Sequence, residues 1–208
     1  MQRFILQQNI TLYQHALQTE PDTAVRHRIG DMLGSAQREL AMLEATLFGV
    51  QTKPPWTVAE HGNPAGNGSL DTQFRDQFTR SSSPYMLLSP GSGLQIVDIN
   101  DAYGRATMIT RAAVVGRPLF EVFPDNPSET RADGVHNLYA SLRAAAESGQ
   151  PNAMPIQRYD VRDTAGKFVQ RHWRPINTPL FDQAGRLTYL LHHVEDVTAD
   201  ITRTQTTP

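Results

Sequence analysis

Histidines carry the chemical reach of this sequence. His15, His27, His136, His192 and His193 each place an imidazole that could accept a phosphoryl group, ligate a metal or exchange a proton near neutral pH. His15 and His27 fall in helical sequence, a setting that suits a phosphoacceptor, yet neither is followed by the acidic residue usual in such a motif. His192 and His193 are neighbours in a strand-like run, so their side chains diverge to opposite faces and cannot share a metal. If Leu190, His192 and Val194 form the covered face, His192 looks inward, either as a satisfied core histidine or as a donor to a polar ligand. No G-x-S-x-G elbow, phosphate-binding loop, H-E-x-x-H helix or glycine-rich ATP lid is present, so the expectation is a protein that is not an enzyme. The absence of cysteine removes disulfides, thiolate metal sites, cysteine nucleophiles and thioether haem attachment together.

Composition narrows the partners. Nineteen basic and twenty-one acidic residues give a net charge of −2 over 208 residues, without the basic footprint that nucleic acid or anionic lipid requires. The first residues are too polar for a signal peptide, and no apolar run approaches the ~20 residues needed to span a bilayer, so the expectation is a cytoplasmic protein with neither membrane nor nucleic acid as partner.

Two helices open the chain. Leu6, Ile10, Tyr13 and Leu17 recur at helical spacing, then Glu20-Pro21-Asp22 breaks the run. Asp22 caps a second helix with the stripe Val25, Ile29, Met32, Ala36, Leu40, Leu43 and Leu47. So short a turn makes the pair antiparallel. A lone hairpin buries too little to stand by itself. The expectation is a dimerisation hairpin that forms a four-helix bundle, with folding back on the rest of its own chain as the alternative, and Gly30 and Gly34 mark where another backbone could approach. The domain reading is a hairpin over 1–48, a Pro- and Gly-rich linker over 49–70, an amphipathic cap helix with Phe74 and Phe78 over 71–83, a main domain over 84–198, and a tail over 199–208.

In the main domain, Tyr85 to Leu88 and Gln95 to Ile99 read as a hairpin around Pro90-Gly91-Ser92-Gly93. Asn100 caps the helix that follows, Thr110 starts another, and Leu119, Phe120, Val122 and Phe123 form a dense apolar patch stopped by Pro124. A helix over Ala132 to Ser148 ends on Gly149-Gln150-Pro151. Three strands complete the region, Met154 to Val161, Phe168 to Asn177 and Leu187 to Val197, with turns at Asp163 to Gly166 and Asp182 to Gly185. The sum is an α+β fold, five antiparallel strands with helices on one face, preceded by the helical hairpin.

Four blocks in this order, PYMLLSPGSGLQIVDINDAY (84–103), VGRPLFEVFPDNP (115–127), RYDVRDTAGKFVQRHWRPINTPLFDQAGRLTYLL (158–191) and YLLHHVEDVT (189–198), resemble the PAS sensor domains of bacterial sensor histidine kinases and related signalling proteins. That resemblance implies a PAS fold and a signalling role within a homodimer, with a histidine kinase or response regulator as partner and an unidentified small molecule as a possible ligand. It would line a ligand pocket with Ile99, Tyr103, Phe120, Leu138, Tyr159, Trp173 and His192. It would place Asp196 and Thr198 at the junction to an output element. Dimer contacts would come from Leu6, Ile10, Tyr13, Leu17, Ile29, Met32, Leu40, Leu43, Phe74 and Phe78. No cofactor is expected. PAS domains that bind haem hold it through a histidine on the helix flanking the cavity, where His136 stands, but one residue off the apolar stripe Val135, Leu138, Leu142. Flavin or coumarate chemistry that needs a cysteine link is excluded. Two other readings stay open beside the ligand sensor: a constitutive interaction scaffold with no ligand, and a haem-based gas or redox sensor.

Overall fold

The structure, a computed structural model, describes residues 1–48 and 72–206; the linker read over 49–70 lies outside them. Helix α1 (Gln2–Thr19) and helix α2 (Thr23–Thr46) form the expected antiparallel hairpin. The Asp22 carboxylate accepts from the free N–H groups of Ala24 and Val25, and Arg26 reaches back to the carbonyls of Leu17 and Glu20 at the end of α1.

The hairpin folds back on the main domain. Ala36, Ala41 and Ala45 are buried on α2, and their small side chains let it lie close against helix α7 (Gly134–Ser148). Ala41, Ala45 and Phe48 belong to the same apolar core as the main domain, where Phe48 meets Tyr139 edge-on at 6.1 Å. The carbonyls left free at the end of α2 are taken up by the main domain, Ala45 by the Gly93 N–H at 2.9 Å and Thr46 by the Ser92 hydroxyl. At Gly34 an added Cβ would lie 3.5 Å from the Thr130 carbonyl, while Gly30 faces open space, so only one of the two glycines marks a close approach.

Beyond it come helix α3 (Thr72–Arg80), strands β1 (Tyr85–Leu88) and β2 (Ile96–Ile99), then short helices α4 (Asp101–Thr107), α5 (Arg111–Val114) and α6 (Leu119–Val122). After α7 follow β3 (Asn152–Ala153), β4 (Gln157–Arg158), β5 (Val161–Arg162), β6 (Phe168–Val169), β7 (His172–Phe181), β8 (Leu187–Asp196) and helix α8 (Thr198–Thr206). The sheet runs β2-β1-β8-β7-β3, with β4 also paired to β7, and every pairing is antiparallel. Two expected strands are corrected. The run from Met154 to Val161 is broken, because Pro155 has no N–H for the ladder and Ile156 turns outward, and the run from Phe168 splits so that β6 pairs only with β5.

Asn100 ties these pieces together. Its side-chain oxygen accepts from the Tyr85 and Tyr103 N–H groups, and its amide donates to the Phe78 and Ser83 carbonyls, joining the end of α3, β1 and α4. Phe78 is therefore buried against its own domain beside Tyr85, and Leu6 is buried within the hairpin, so neither is presented to a partner; Met32 is exposed.

Candidate functional site

The register Asn177↔His192 and Pro175↔Val194 sends alternate residues of β7 and β8 beneath the helices, as strand alternation requires. There the two strands, α4, α6, α7 and the segment from Met154 to Val161 border a partly open cavity of about 40 Å3, room for a few water-sized molecules. Of the residues the sequence suggested, Tyr103, Leu138, Tyr159, Trp173 and His192 line it. Two are corrected. Ile99 and Phe120 are buried in the core but are not part of the cavity wall. Leu119 at the start of α6 and Phe123 just past its end take the place assigned to Phe120. Thr107, Met154, Gln157, Val161, Pro175 and Val194 complete the wall, which contains no Asp, Glu, Lys or Arg. His136 is half-buried on α7 and also outside the cavity wall, so this structure does not offer it as an axial ligand there.

Nearly every polar side-chain atom of the wall already has a protein partner. The Trp173 indole N–H donates to the Tyr159 carbonyl at 2.8 Å, and the Tyr159 hydroxyl donates to the Phe123 carbonyl at 2.5 Å. Thr107 donates to the Tyr103 carbonyl, and Gln157 is held from both ends by Asp133 and Asn137. His192 starts a longer chain. Its Nδ1 lies 2.7 Å from Asn177 Oδ1, the Asn177 amide donates to Ser141 Oγ at 2.7 Å, and Ser141 donates to Asn152 Oδ1 at 2.6 Å. This relay links β8, β7, α7 and β3 and was not foreseen, although the alternation that turns His192 inward also places Asn177 there.

Burial drives the His192 pKa down to about 3, with His193 adding to the effect, so the ring is neutral at ordinary pH. Burial also raises the Tyr103 hydroxyl well above its usual value. The two rings meet edge-on with centroids 6.0 Å apart.

A second cleft, of about 270 Å3, opens beside the start of α7 among Asp125, Glu129, Arg131, Arg158 and Asp160. Its charges are paired, partly within the cleft and partly with α2, where Arg131 reaches Asp31. Arg158 pairs with Glu129 and Asp160, Asn126 also donates to Asp160, and Asp125 accepts from Arg38 of α2 at 2.9 Å and from the Val135 N–H at 3.1 Å. Asp125 thus caps α7 and holds the hairpin in one set of bonds.

At the far end of the sheet, the Asp196 carboxylate accepts from the Thr198 N–H and hydroxyl at 2.9 and 2.5 Å, and Thr198 Oγ1 accepts from the His172 N–H at 2.9 Å. These bonds end β8 and start α8.

A five-position antiparallel sheet whose helices close over a small interior chamber is the architecture of a sensory or interaction module. The PAS fold family model matches residues 81–201, more than half of the chain, and the chain belongs to that family. Among solved structures it is similar to an RNA-binding light-oxygen-voltage receptor, with 17% identity and a TM-score of 0.48, covering 98% of this chain and 62% of the other. A PAS domain of a protein from Colwellia psychrerythraea gives 12% identity and a TM-score of 0.45 over 61% of this chain and 96% of the other. The light-oxygen-voltage protein of Rhodobacter sphaeroides gives 17% and 0.44 over 60% and 65%. No curated protein matches the chain. Among the described residues, no helix is long and apolar enough to cross a membrane.

Proposed function

We propose that this chain is a cytoplasmic signalling module, bacterial in type, whose interior cavity takes a small ligand and whose helix α7 passes the response to the N-terminal hairpin. One observation carries the reading: the relay from His192 passes through Ser141 of α7, the same helix that meets the hairpin through Glu44 on Arg143 and, just past α2, Phe48 on Tyr139. A ligand that favours one of two packings by ~1–3 kcal/mol changes partner affinity several-fold or more. Phe4, Ile5, Leu12, Met32 and Met42 are exposed on the hairpin and support a homodimer or docking on a signalling partner such as a histidine kinase or response regulator. One similar structure is an RNA-binding receptor; the net charge of −2 here supports protein rather than RNA as partner.

The composition of the wall bears on which cofactor could enter. The absence of cysteine removes only a cysteinyl adduct. A flavin held without one needs a chamber larger than about 40 Å3, and free amides to read its ring edge, whereas Gln157 and Asn177 are already engaged. The wall therefore favours a guest smaller than flavin or haem. The small volume also favours a second reading, an interaction scaffold that takes no ligand. Native mass spectrometry of the full chain separates the two: a reproducible non-covalent adduct is the outcome for a ligand sensor, and the bare polypeptide mass that for a scaffold.

A further inference from the structure

The relay has a direction. Met154 Sδ and Ser141 Oγ both lie beside the same end of the Asn177 side chain, at 3.7 and 2.7 Å. A thioether accepts and cannot donate, so that end is the NH2 group and the opposite end, facing His192 Nδ1, is the carbonyl oxygen. Nδ1 of a neutral imidazole beside a carbonyl must carry the proton. Nε2 then keeps its lone pair, and His192 acts toward the cavity as an acceptor.

Elimination completes the picture. With Thr107, Gln157, Tyr159 and Trp173 bonded to protein, His192 Nε2 and the Tyr103 hydroxyl are the polar side-chain atoms of the wall left without a protein partner among the described residues. Their rings touch. The rest of the wall is apolar or already satisfied, and none of it is charged, so an ionised guest would lose its hydration without compensation.

Resting on the ligand-sensor reading above, we infer that the cavity selects a small uncharged molecule that donates a hydroxyl or ring N–H to His192 Nε2, takes the Tyr103 hydroxyl on an adjacent acceptor, and keeps an apolar remainder against Leu138 and Trp173. At about 40 Å3 the guest has only a few non-hydrogen atoms, the scale of a short alcohol or a five-membered N–H heterocycle.

The test uses the full chain labelled with 15N at histidine, titrated with pyrazole, with furan as a ring of the same size lacking the N–H, and with xenon as an apolar atom. The expected result is a His192 with Nδ1 protonated in the free protein and an Nε2 resonance that shifts on adding pyrazole. Furan should bind at least tenfold more weakly, and Tyr103→Phe should weaken pyrazole by roughly three- to tenfold, one hydrogen bond's worth. An Nε2-protonated His192, or equal binding of furan and pyrazole, overturns the inference. Entry of xenon without pyrazole overturns the ligand class while leaving a ligand-accessible cavity. Exclusion of all three overturns both the inference and the sensor reading on which it rests.

Discussion

The cavity wall and the hairpin interface sit on two sides of α7 and bury polar groups by opposite means. On the sheet side, His192, Asn177, Ser141 and Asn152 form a neutral relay in which each group meets another uncharged one. On the hairpin side, buried Glu44 lies between the half-exposed Arg3 at 2.8 Å and Arg143 at 3.5 Å, and Arg38 pairs with Asp125. A neutral buried relay responds to protonation and to shape. A charged seam at the surface responds to ionic strength. Perturbing each region in its own way should therefore separate them, and any response that crosses from one to the other must travel through α7.

The largest expected effect comes from Phe48→Ala. It empties a nearly fully buried site against Tyr139 and should cost the docked hairpin about 3–5 kcal/mol. Hydrogen exchange should then show much faster exchange across α1 and α2 and a smaller increase across α7, β7 and β8; equal loss in the strands would mean that the two regions are one cooperative unit.

Gly134→Ala strikes the point where the regions meet. The new Cβ would lie 2.4 Å from the Tyr159 ring, whose hydroxyl is fixed by the Phe123 carbonyl, so overpacking should lower stability by about 1–3 kcal/mol in urea unfolding.

Acid tests the neutral side. A histidine whose folded pKa lies below its unfolded value gives stability that is complete above the unfolded value and is lost as pH falls. With His192 at about 3 when folded and 6.5 as its ordinary value, stability should fall between those limits by up to about 1.4 kcal/mol per pH unit. Half-buried His193 is lowered too and acts in the same sense. His192→Gln keeps a side-chain amide near Asn177 without titrating, so its profile should be flatter, and a profile identical to wild type would remove His192 as the cause.

Salt gives the smallest effect. Because its arginine partners are partly exposed, Glu44→Gln should weaken docking by only about 1 kcal/mol, and raising salt should reproduce part of that loss in wild type but less in the variant, which keeps the Arg38–Asp125 pair.

The sequence showed the two regions unequally. Helical spacing and the Asp22 cap marked the hairpin, and the four ordered blocks marked the PAS fold that the family match shows. What stayed hidden was orientation. A four-residue helix such as α6 has no stripe long enough to say that Leu119 and Phe123, rather than Phe120, face the cavity. Strand alternation did turn His192 inward, because β8 runs ten residues. The docking of α2 on α7 was one of two fates left open, since Ala41 and Ala45 gain their meaning only from the helix that approaches them.

The most direct test of coupling through α7 is hydrogen exchange of residues 36–46 in Asn177→Leu, a change on β7 that keeps the branching and number of side-chain heavy atoms while breaking the relay without touching the hairpin. The account predicts faster exchange along α2 together with β7, β8 and α7. Altered exchange confined to the strands and α7, with α2 unchanged, would contradict it.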